Sequence, residues 1–524
     1  MPFNSVTSFS RSPIRYAAVV VTTLAVGLAL ALVHRAGDSD GRERWLWMVA
    51  DEGALAGLEA ETLGIATNKF STKVTSPVTG KSTAEAGIND LLPGRSTTSH
   101  TATRQCTKQW EKQFVMPPAG TAVSFGFFNR PGFTALFKEA ERRKWTIQHS
   151  IKASLPSLES VSFIFTHPSA YLRYPSLREL KAPHHLISAV QGMQAACGSK
   201  TTQVRAFREH ADKMKCNYSR VRFLPTSFIL SEPSHCKEFF RLDALYEPRW
   251  ILKPSNSYGG AGIEILHGRS GIEKMKERFT PCQRWHSGLK PDNRYIVQQY
   301  LERPLLLHGK KFDIRMYMLL ASTQPSLVFY RQGYVRASLN PYNLNNTRDM
   351  SSHLTNTHVQ EASGANFTDQ LHSHFWSLLE FQEYLDKHLA GDKGKGFVKQ
   401  HLEPFVKNAS LYVFHAGRDK IIRSPGTFQL VGLDIMVDEN LDCWFIEANN
   451  YPLWPYQGRF SSHLSLRMAE DLFDLVLSLH TDDAVFLKAK AGDMISSFEL
   501  LYNEIEDCSR KEAILFDPCD VFPP

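Results

Sequence analysis

The sequence predicts an α/β protein that follows a long N-terminal region of different composition. From about Thr121 onward, short apolar and β-branched runs alternate with stretches of helical periodicity. The composition is that of an ordinary globular protein, with 43% hydrophobic and 22% charged residues among 524. At roughly 100–200 residues per domain, this length allows two to four domains.

The N-terminal region begins with an apolar segment. Residues 16–33 carry no charge and are mostly Ala, Val and Leu, just enough for a helix to cross a hydrocarbon core of roughly 30 Å. We therefore expect residues 1–40 to form a tail with a single membrane-anchor helix at about 16–33. A targeting peptide is the alternative. Residues 41–105 are expected to be mostly a flexible linker, because 66–104 is rich in Ser, Thr, Gly and Ala.

The charge of the chain argues against a protein that coats nucleic acid, and its cysteine spacing argues against a zinc site. The 60 basic and 53 acidic residues give a net charge of +7, too mild for a chain that coats nucleic acid, so no nucleic-acid partner is expected. The cysteines stand singly, without a Cys-x-x-Cys pair or zinc-ligand spacing, and are interpreted as reduced thiols. They are Cys106, Cys197, Cys216, Cys236, Cys282, Cys443, Cys508 and Cys519.

A glycine-rich loop lies between two apolar runs at 250–252 and 263–266, which indicates a hairpin. A Walker loop or a dinucleotide fingerprint would need a helix after the glycines, so both are excluded. With Lys253 at its base, the loop Gly259, Gly260 and Gly262 could instead cover a triphosphate and offer backbone N–H donors. A simple turn is the alternative.

The run from Lys311 to Tyr317 alternates with a period of two. Lys311, Asp313, Arg315 and Tyr317 would share one face of a strand, with Phe312, Ile314 and Met316 on the other. The charged face is interpreted as a site because the strand continues into the apolar run 318–321 and is therefore buried. A solvated strand face is the alternative.

The segment 428–449 is predicted to form a hairpin whose strands carry acidic residues. A turn centred between Asn440 and Leu441 places Asp434 opposite Glu447, and Asn449 follows on the same face as Glu447. Two carboxylates and an amide oxygen at that spacing are a ligand set for Mg²⁺ together with nucleotide phosphates.

Taken together, these stretches resemble the tubulin–tyrosine ligase-like family, whose catalytic unit is an ATP-grasp fold. The resemblance covers roughly Thr121 to the C-terminus. It rests on four motifs that occur in the family's order: Trp-Ile-x-Lys at 250–253, Lys-Phe-Asp-x-Arg at 311–315, His-Leu-Thr-Asn at 353–356, and Asp-(12 residues)-Glu-x-Asn at 434–449. The implied organisation is an N-terminal α/β domain at 106–205, a central ATP-grasp domain at 206–295 and a C-terminal ATP-grasp catalytic domain at 296–524.

The resemblance also implies roles for individual residues. Lys253 and Lys311 would contact ATP phosphates, with Arg315 and Asn356 beside them and Asp313 near the ribose. The adenine-contacting linker would be Gln298, Gln299, Tyr300 and Leu301. The magnesium ligands would be Asp434, Glu447 and Asn449. Arg336, in a turn-like Gly-Tyr-Val-Arg stretch, would hold the carboxylate of the free amino acid, and an upstream lysine of the family falls on Arg205.

The implied function is an ATP- and Mg²⁺-dependent ligase that adds an amino acid to the acidic C-terminal tail of tubulin through an acyl phosphate. Lys311, Arg315 and Arg336 would be catalytic, in a cleft also lined by Arg331. Tyrosine is slightly favoured as the added amino acid, and glutamate and glycine remain open. The alternative of another class is a catalytically inactive, membrane-tethered tubulin-binding protein.

The expected location is a membrane, through residues 16–33, with the catalytic domain in the cytosol and possible association with microtubules. The isolated cysteines favour the reducing side of the membrane. Four Asn-x-Ser/Thr sequons, at Asn217, Asn345, Asn366 and Asn408, favour the opposite side.

Overall fold

The computed structural model describes the chain in several ranges: 18–23, 28–37, 43–48, 124–128, 134–148, 161–166, 175–180, 185–216, 218, 221, 223–257, 259–282, 294–363, 367–481 and 488–509. Contacts divide the chain into two units, Met1–Pro93 and Gly94–Pro524. Most of the predicted linker, including residues 66–104, lies outside the described residues.

The first unit contains a three-stranded antiparallel sheet of β1 (Ala18–Thr23), β2 (Leu28–Gly37) and β3 (Glu43–Met48). The predicted anchor at 16–33 therefore falls on two strands. Among the described residues, no helix has the length and apolar character needed to span a membrane. The prediction of a single helical anchor, and the membrane-anchored location that depended on it, is wrong. Apolar composition alone does not distinguish a helix from paired strands.

The second unit begins with a parallel sheet in the order β5-β4-β6-β7. Its strands are β4 (Ser124–Phe128), β5 (Thr146–Gln148), β6 (Phe163–Thr166) and β7 (Leu186–Ile187). Two helices belong to this part, α1 (Thr134–Arg142) and α2 (Pro175–Glu179). Strand β6 is buried along its whole length, as expected for a parallel strand with both faces covered.

A smaller antiparallel sheet follows, in the order β10-β9-β11-β8. Its strands are β8 (Ser227–Ile229), β9 (Trp250–Pro254), β10 (Glu264–Leu266) and β11 (Tyr295–Gln299). The helices around it are α3 (Gln194–Cys197), α4 (Lys200–Lys213), α5 (Pro233–Phe239) and α6 (Gly268–Phe279). The predicted Gly-rich hairpin is the β9–β10 connection, in which Leu252 pairs with Glu264.

The largest sheet has eight strands in the order β17-β16-β13-β14-β19-β18, with β12 paired to β13 and β15 paired to β14. The strands are β12 (Leu306–Leu307), β13 (Lys310–Thr323), β14 (Ser326–Ala337), β15 (Phe375–Trp376), β16 (Gln429–Val437), β17 (Cys443–Asn449), β18 (Met494–Ile495) and β19 (Phe498–Asn503).

Seven further α-helices surround this sheet: α7 (Met350–His353), α8 (Thr357–Ala362), α9 (Leu371–His374), α10 (Leu378–His388), α11 (Glu403–Arg418), α12 (Gly458–Thr481) and α13 (Glu504–Ser509). A 3₁₀ turn, Thr368–Gln370, precedes α9, and a π-helical turn, Val398–Leu402, precedes α11.

The two faces of the large sheet bury two separate apolar cores. One contains Phe312, Ile314 and Met316 together with side chains of α10 and α11. The other contains Tyr317 and Leu319 together with side chains of α12 and the N-terminal parallel sheet. Strand β13 therefore alternates as predicted, and it is buried on both faces.

The cysteines do not all remain reduced thiols. Cys236 of α5 and Cys282, which follows α6, form a disulfide with a Cα–Cα distance of 5.6 Å, and Cys216 is also disulfide-bonded. Cys197 and Cys443 are free. The expectation of reduced thiols is thus wrong for three cysteines, because partners 46 residues apart carry no signal in local spacing.

Candidate functional site

The acidic hairpin forms as predicted, but with a different internal geometry. Strands β16 and β17 pair Asp434 with Glu447 and Gly432 with Asn449. Beyond Asp434 the register shifts, so that Val437 pairs with Cys443 and the turn is centred on Asn440. Strand β17 contains a bulge with one extra residue. This residue brings Glu447 opposite Asp434, as predicted, so that the two carboxylates lie side by side.

Three side chains converge at the end of this hairpin. The Asn449 amide nitrogen donates to Asp434 Oδ2 and to Glu447 Oε1, at 3.2 Å in each case. Rotating this amide by 180° would direct its oxygen to the same point, giving two carboxylates and one amide oxygen. That donor set fits Mg²⁺. Among the described residues there is no group of three or more His, Cys, Asp or Glu side chains suited to a metal.

Asp434 also belongs to a buried network of two arginines and two aspartates. Arg315 Nε donates to Asp434 Oδ1 at 2.5 Å, and Arg336 Nη2 lies 3.2 Å from the same oxygen. Arg336 forms a bidentate pair with Asp313, its partner in the β13–β14 register. Burial by itself raises the pKa of Asp434, but the two guanidinium groups outweigh it and hold the pKa at about 2.

Arg336 differs from its prediction in two respects. It lies within strand β14, not in a turn, because Gly333 serves close packing: a Cβ atom there would lie 1.9 Å from the Arg315 carbonyl oxygen. Its guanidinium group is buried and already occupied by Asp313 and Asp434. Any role in holding an amino-acid carboxylate would require one of these acids to release it.

Two buried lysines, Lys253 and Lys311, lie near the acidic hairpin and have no carboxylate partner among the described residues. We call the region formed by these lysines and by Asp434, Glu447 and Asn449 the cleft. Lys253 Nζ donates to Gln298 Oε1 at 2.6 Å, and Lys311 Nζ donates to the Tyr300 hydroxyl at 3.0 Å. Within the described part of the chain, neither ammonium group has a carboxylate oxygen within 4 Å. Burial lowers the pKa of Lys253 to about 8 and, helped by the charge of Lys253, that of Lys311 to about 7.

The pocket beside Lys253 is lined by both polar and apolar side chains. Lys200 and Glu447 belong to its lining, and Lys200 Nζ is 3.6 Å from Glu447 Oε2. Its other lining residues are Gln203, Val204, Phe207, Tyr218, Leu224, Pro225, Ser227, Ile296, Gln298, Phe445 and Ile446. A mixed lining of this kind suits a ligand that has both a flat aromatic part and charged groups.

Lys200 is a site residue that the sequence analysis missed. Arg205, the residue matched to the family's upstream lysine, instead pairs with Glu232. A signal was present: Lys200 is the first residue of α4, after a Ser199 cap, and a cation is disfavoured at a helix N-terminus by the macrodipole. Helix stability therefore does not explain a lysine at this position.

The glycine loop packs against the start of helix α8. Gly259, Gly260 and Gly262 have φ values of 64°, 81° and 72°, a region that favours glycine. A Cβ atom on Gly260 would lie 2.8 Å from Val359 Cγ2 and 3.7 Å from the Asn356 side-chain oxygen. The loop and the predicted site residue Asn356 are therefore neighbours.

Other predicted residues lie outside the pocket or point away from it. Gln299 is exposed and Leu301 is half-buried. The Tyr300 side chain packs under the glycine loop with Ile251 and Leu354, not against the pocket lining. Arg331 lies on the same face of the large sheet as Arg336, because a bulge separates them in β14, but its guanidinium group forms a buried ion pair with Asp471 of α12.

Comparison with known proteins identifies the family to which this chain is similar. The model of the "Tubulin-tyrosine ligase family" matches residues 189–484, more than half of the chain. Protein polyglycylase TTLL10 of Rattus norvegicus is 29% identical over 330 residues, 58% of this chain and 47% of that protein. Tubulin glycylase 3A of Drosophila melanogaster is 31% identical over 264 residues, 50% of this chain and 24% of that protein.

Two other relatives carry different names. The Probable alpha-tubulin polyglutamylase Ttll1 of Tetrahymena thermophila is 28% identical over 304 residues, 56% of this chain and 70% of that protein. The Inactive polyglycylase TTLL10 of Homo sapiens is 28% identical over 236 residues, 44% of this chain and 35% of that protein. The chain spans about half the length of the rat relative and about a quarter of the fly relative. The match over residues 189–484, which includes the whole acidic hairpin and all three cleft lysines, shows that the chain belongs to the tubulin-tyrosine ligase family.

Proposed function

We propose that this chain is an ATP- and Mg²⁺-dependent ligase of ATP-grasp type that adds glycine or glutamate to an acidic protein tail, with tubulin as the acceptor. The observation that carries the proposal is a pair of buried lysines to which the described residues offer no carboxylate partner, near a convergent Asp434, Glu447 and Asn449. Buried cations without counter-charges are costly unless an anionic ligand pairs with them.

The residues divide the work between binding and charge neutralisation. Lys200, Lys253 and Lys311 would bind the phosphates, with the base against apolar side chains of the pocket. Asp434, Glu447 and Asn449 would hold Mg²⁺, which when bound neutralises phosphate charge. Arg315 and Arg336 would stabilise the charge that develops on the transferred phosphoryl group and on the carboxylate that accepts it.

The chemistry follows from this arrangement. An oxygen of the acceptor carboxylate attacks the γ-phosphorus and ADP leaves. The amine of the donor amino acid then attacks the carbonyl carbon of the acyl phosphate, inorganic phosphate leaves, and the nitrogen loses a proton. No side-chain nucleophile is needed, so positioning and electrostatics supply the catalysis.

Tyrosine, the donor slightly favoured by the sequence, is replaced here by glycine or glutamate. The relatives are named glycylases and a glutamylase, and these names support the alternative that the sequence left open. An inactive tubulin-binding protein is the second candidate, favoured by the name of the human relative. The presence of Lys253, Lys311, Asp434 and Glu447 in one cleft argues against it.

The test is incubation of the full chain with tubulin, Mg²⁺, ATP and each of radiolabelled glycine, glutamate and tyrosine. We expect glycine or glutamate to be incorporated, and tubulin without its C-terminal tails to remain unlabelled. Incorporation of tyrosine alone would overturn the donor assignment. ATP binding without any incorporation would indicate an acceptor other than tubulin. Absence of ATP binding would support the inactive protein.

A further inference from the structure

A continuous chain of hydrogen bonds connects Lys311 to the backbone carbonyl oxygen of Asn346. Lys311 Nζ donates to the Tyr300 hydroxyl at 3.0 Å. The same hydroxyl lies 2.8 Å from His353 Nδ1, and His353 Nε2 lies 3.1 Å from the Asn346 carbonyl oxygen. The three side chains come from three places: β13, the linker after β11, and α7.

The direction of these hydrogen bonds follows when Lys311 is charged and His353 is neutral. An ammonium group can only donate, and a carbonyl oxygen can only accept. The Tyr300 hydroxyl then accepts from Lys311 and donates its own hydrogen to His353 Nδ1. Neutral His353 carries its proton on Nε2, which donates to Asn346. Burial lowers the pKa of His353 and favours this neutral form.

The Tyr300 ring contributes a second contact to the same ammonium group. Lys311 Nζ lies 4.5 Å from the centroid of this ring, within the range of a cation–π interaction. The ring is fixed by packing against Ile251 and Leu354, beneath the glycine loop. Both the ring and the hydroxyl of Tyr300 therefore define where the Lys311 charge is located.

Several charged side chains act on this chain from its surroundings. Lys253 lowers and Asp313 raises the pKa of Lys311. Asp349 raises the pKa of His353, while Glu302 and Arg249 face Tyr300 with opposite effects. Tyr342, whose ring centroid is 5.9 Å from Lys311 Nζ, completes the surroundings. With no carboxylate within 4 Å among the described residues, Lys311 relies on Tyr300 to remain charged and in place.

We propose that Tyr300 and His353 are positioning residues that hold the Lys311 ammonium group ready for the phosphates of ATP. This inference rests on the proposed function, because it takes ATP as the ligand of Lys311. It gives a role to His353, which the sequence analysis named only as part of the His-Leu-Thr-Asn motif. It also assigns Tyr300 to the phosphates of ATP, whereas the sequence analysis assigned this residue to the adenine-contacting linker.

Tyr300→Phe is the direct test, because it keeps the ring and removes the hydroxyl. The hydroxyl accepts a charge-assisted hydrogen bond, so its loss should weaken Mg²⁺–ATP binding about tenfold. ATP affinity should fall as pH rises and Lys311 loses its proton. In Tyr300→Phe the midpoint of this fall should lie at lower pH, because an ammonium group without its hydrogen-bond acceptor loses its proton more readily. Tyr384→Phe, which removes a hydroxyl bonded to Leu306 and His308, is the matched control.

His353 provides a second and independent variant. His353→Leu removes the acceptor of the Tyr300 hydroxyl and should reproduce part of the loss. His353→Asn places an amide oxygen near the position of Nδ1 and should restore most of the affinity. A side chain that only supports packing would not be rescued in this way.

The measurement is calorimetric titration of the full chain with Mg²⁺–ATP from pH 6 to 9, without acceptor protein. The inference is supported if Tyr300→Phe and His353→Leu lower affinity and shift the pH midpoint, while Tyr384→Phe matches wild type. If wild type binds ATP and Tyr300→Phe retains both affinity and midpoint, the positioning role is refuted and the proposed function stands. If wild type binds no ATP, both are refuted together.

Discussion

Buried charge defines the cleft at the scale of single residues. Asp434 is neutralised by Arg315 and Arg336, whereas Lys253 and Lys311 have only neutral hydrogen-bond partners. The cost of burying an unpaired ammonium group is visible in the lowered pKa values of both lysines. The protein thus carries a local instability that a bound polyphosphate would relieve.

The lysines should make the stability of the ATP-free protein depend on pH. Their folded-state pKa values, about 8 and about 7, lie below the ordinary value of 10.5. Between pH 7 and 10 the unfolded chain therefore binds more protons, and the free energy of unfolding rises with pH. The free energy of unfolding should rise by about 1.4 kcal/mol per pH unit for each lysine that is neutral in the folded protein and protonated in the unfolded chain.

Urea unfolding at pH 7, 8 and 9 measures this effect. Lys311→Met should be more stable than wild type at pH 7, and the difference should shrink as pH rises. A constant difference across this range would show that Lys311 stays protonated in the folded protein.

Glu447 gives a prediction about turnover. Glu447→Gln keeps the shape of the side chain and removes a proposed Mg²⁺ ligand, so amino-acid incorporation should fall by about 100-fold or more. Stability should change little, because the Glu447 side chain is 21% exposed and its ion pair with Lys200 is long, at 3.6 Å.

The matched control is Glu439→Gln, at the tip of the same hairpin, where Glu439 pairs with the exposed Arg303. Incorporation of radiolabelled amino acid and thermal unfolding should be measured on both variants. Equal activity of Glu447→Gln and wild type would remove Glu447 from the site.

At the scale of elements, two hairpins from different sheets meet at the cleft. The β16–β17 hairpin supplies the acids, and the β9–β10 hairpin supplies Lys253 and the glycine loop. Leu354 and Val359 pack against Gly260 of the loop and leave no room for a Cβ atom there. The position of the loop therefore depends on the segment that also carries His353 and Asn356.

Gly260→Ala should disturb this contact. Its Cβ atom would lie 2.8 Å from Val359 Cγ2 and 2.9 Å from Leu354 Cδ1, at a φ of 81°. We expect a loss of about 1–3 kcal/mol in stability and weaker ATP binding, because the loop must move. Gly268→Ala has a similar φ, 63°, with no atom within 4 Å, and so tests the backbone cost alone.

Thermal unfolding and ATP titration of the two variants separate the effects. If both lose the same stability and keep ATP affinity, the loop contact does not position the site.

At the scale of the whole molecule, the second unit depends on long-range contacts. The disulfide Cys236–Cys282 closes a segment that contains β9, β10 and the glycine loop. For a loop of 46 residues, chain entropy predicts a contribution of about 4 kcal/mol to stability. The smaller sheet should therefore be the part most sensitive to reduction.

The double variant Cys236→Ser/Cys282→Ser should unfold at lower urea concentration, and dithiothreitol should shift its transition less than that of wild type, because only the disulfide of Cys216 remains to be reduced. Cys443→Ser, which removes a free thiol, should retain the response of wild type. A wild-type protein insensitive to reductant would contradict the assignment.

The sequence by itself determined the features that depend on near neighbours along the chain. The period of two in β13 separates Asp313 and Arg315 from Phe312 and Ile314, because successive side chains of a strand point to opposite faces. The pairing of Asp434 with Glu447 was predicted from the length of one hairpin, although in the structure it also requires a bulge in β17 that the sequence did not indicate. The family resemblance, built on such local motifs, agrees with the match over residues 189–484.

Only the tertiary structure decided which charges meet. Arg315 and Arg336 reach Asp434 from two other strands, and Lys200 reaches Glu447 from a helix of another part of the chain. The same holds for the disulfide and for the strands found where an apolar helix was expected. Local periodicity specifies the face of an element, whereas its neighbours depend on the packing free energy of the whole assembly of sheets and helices.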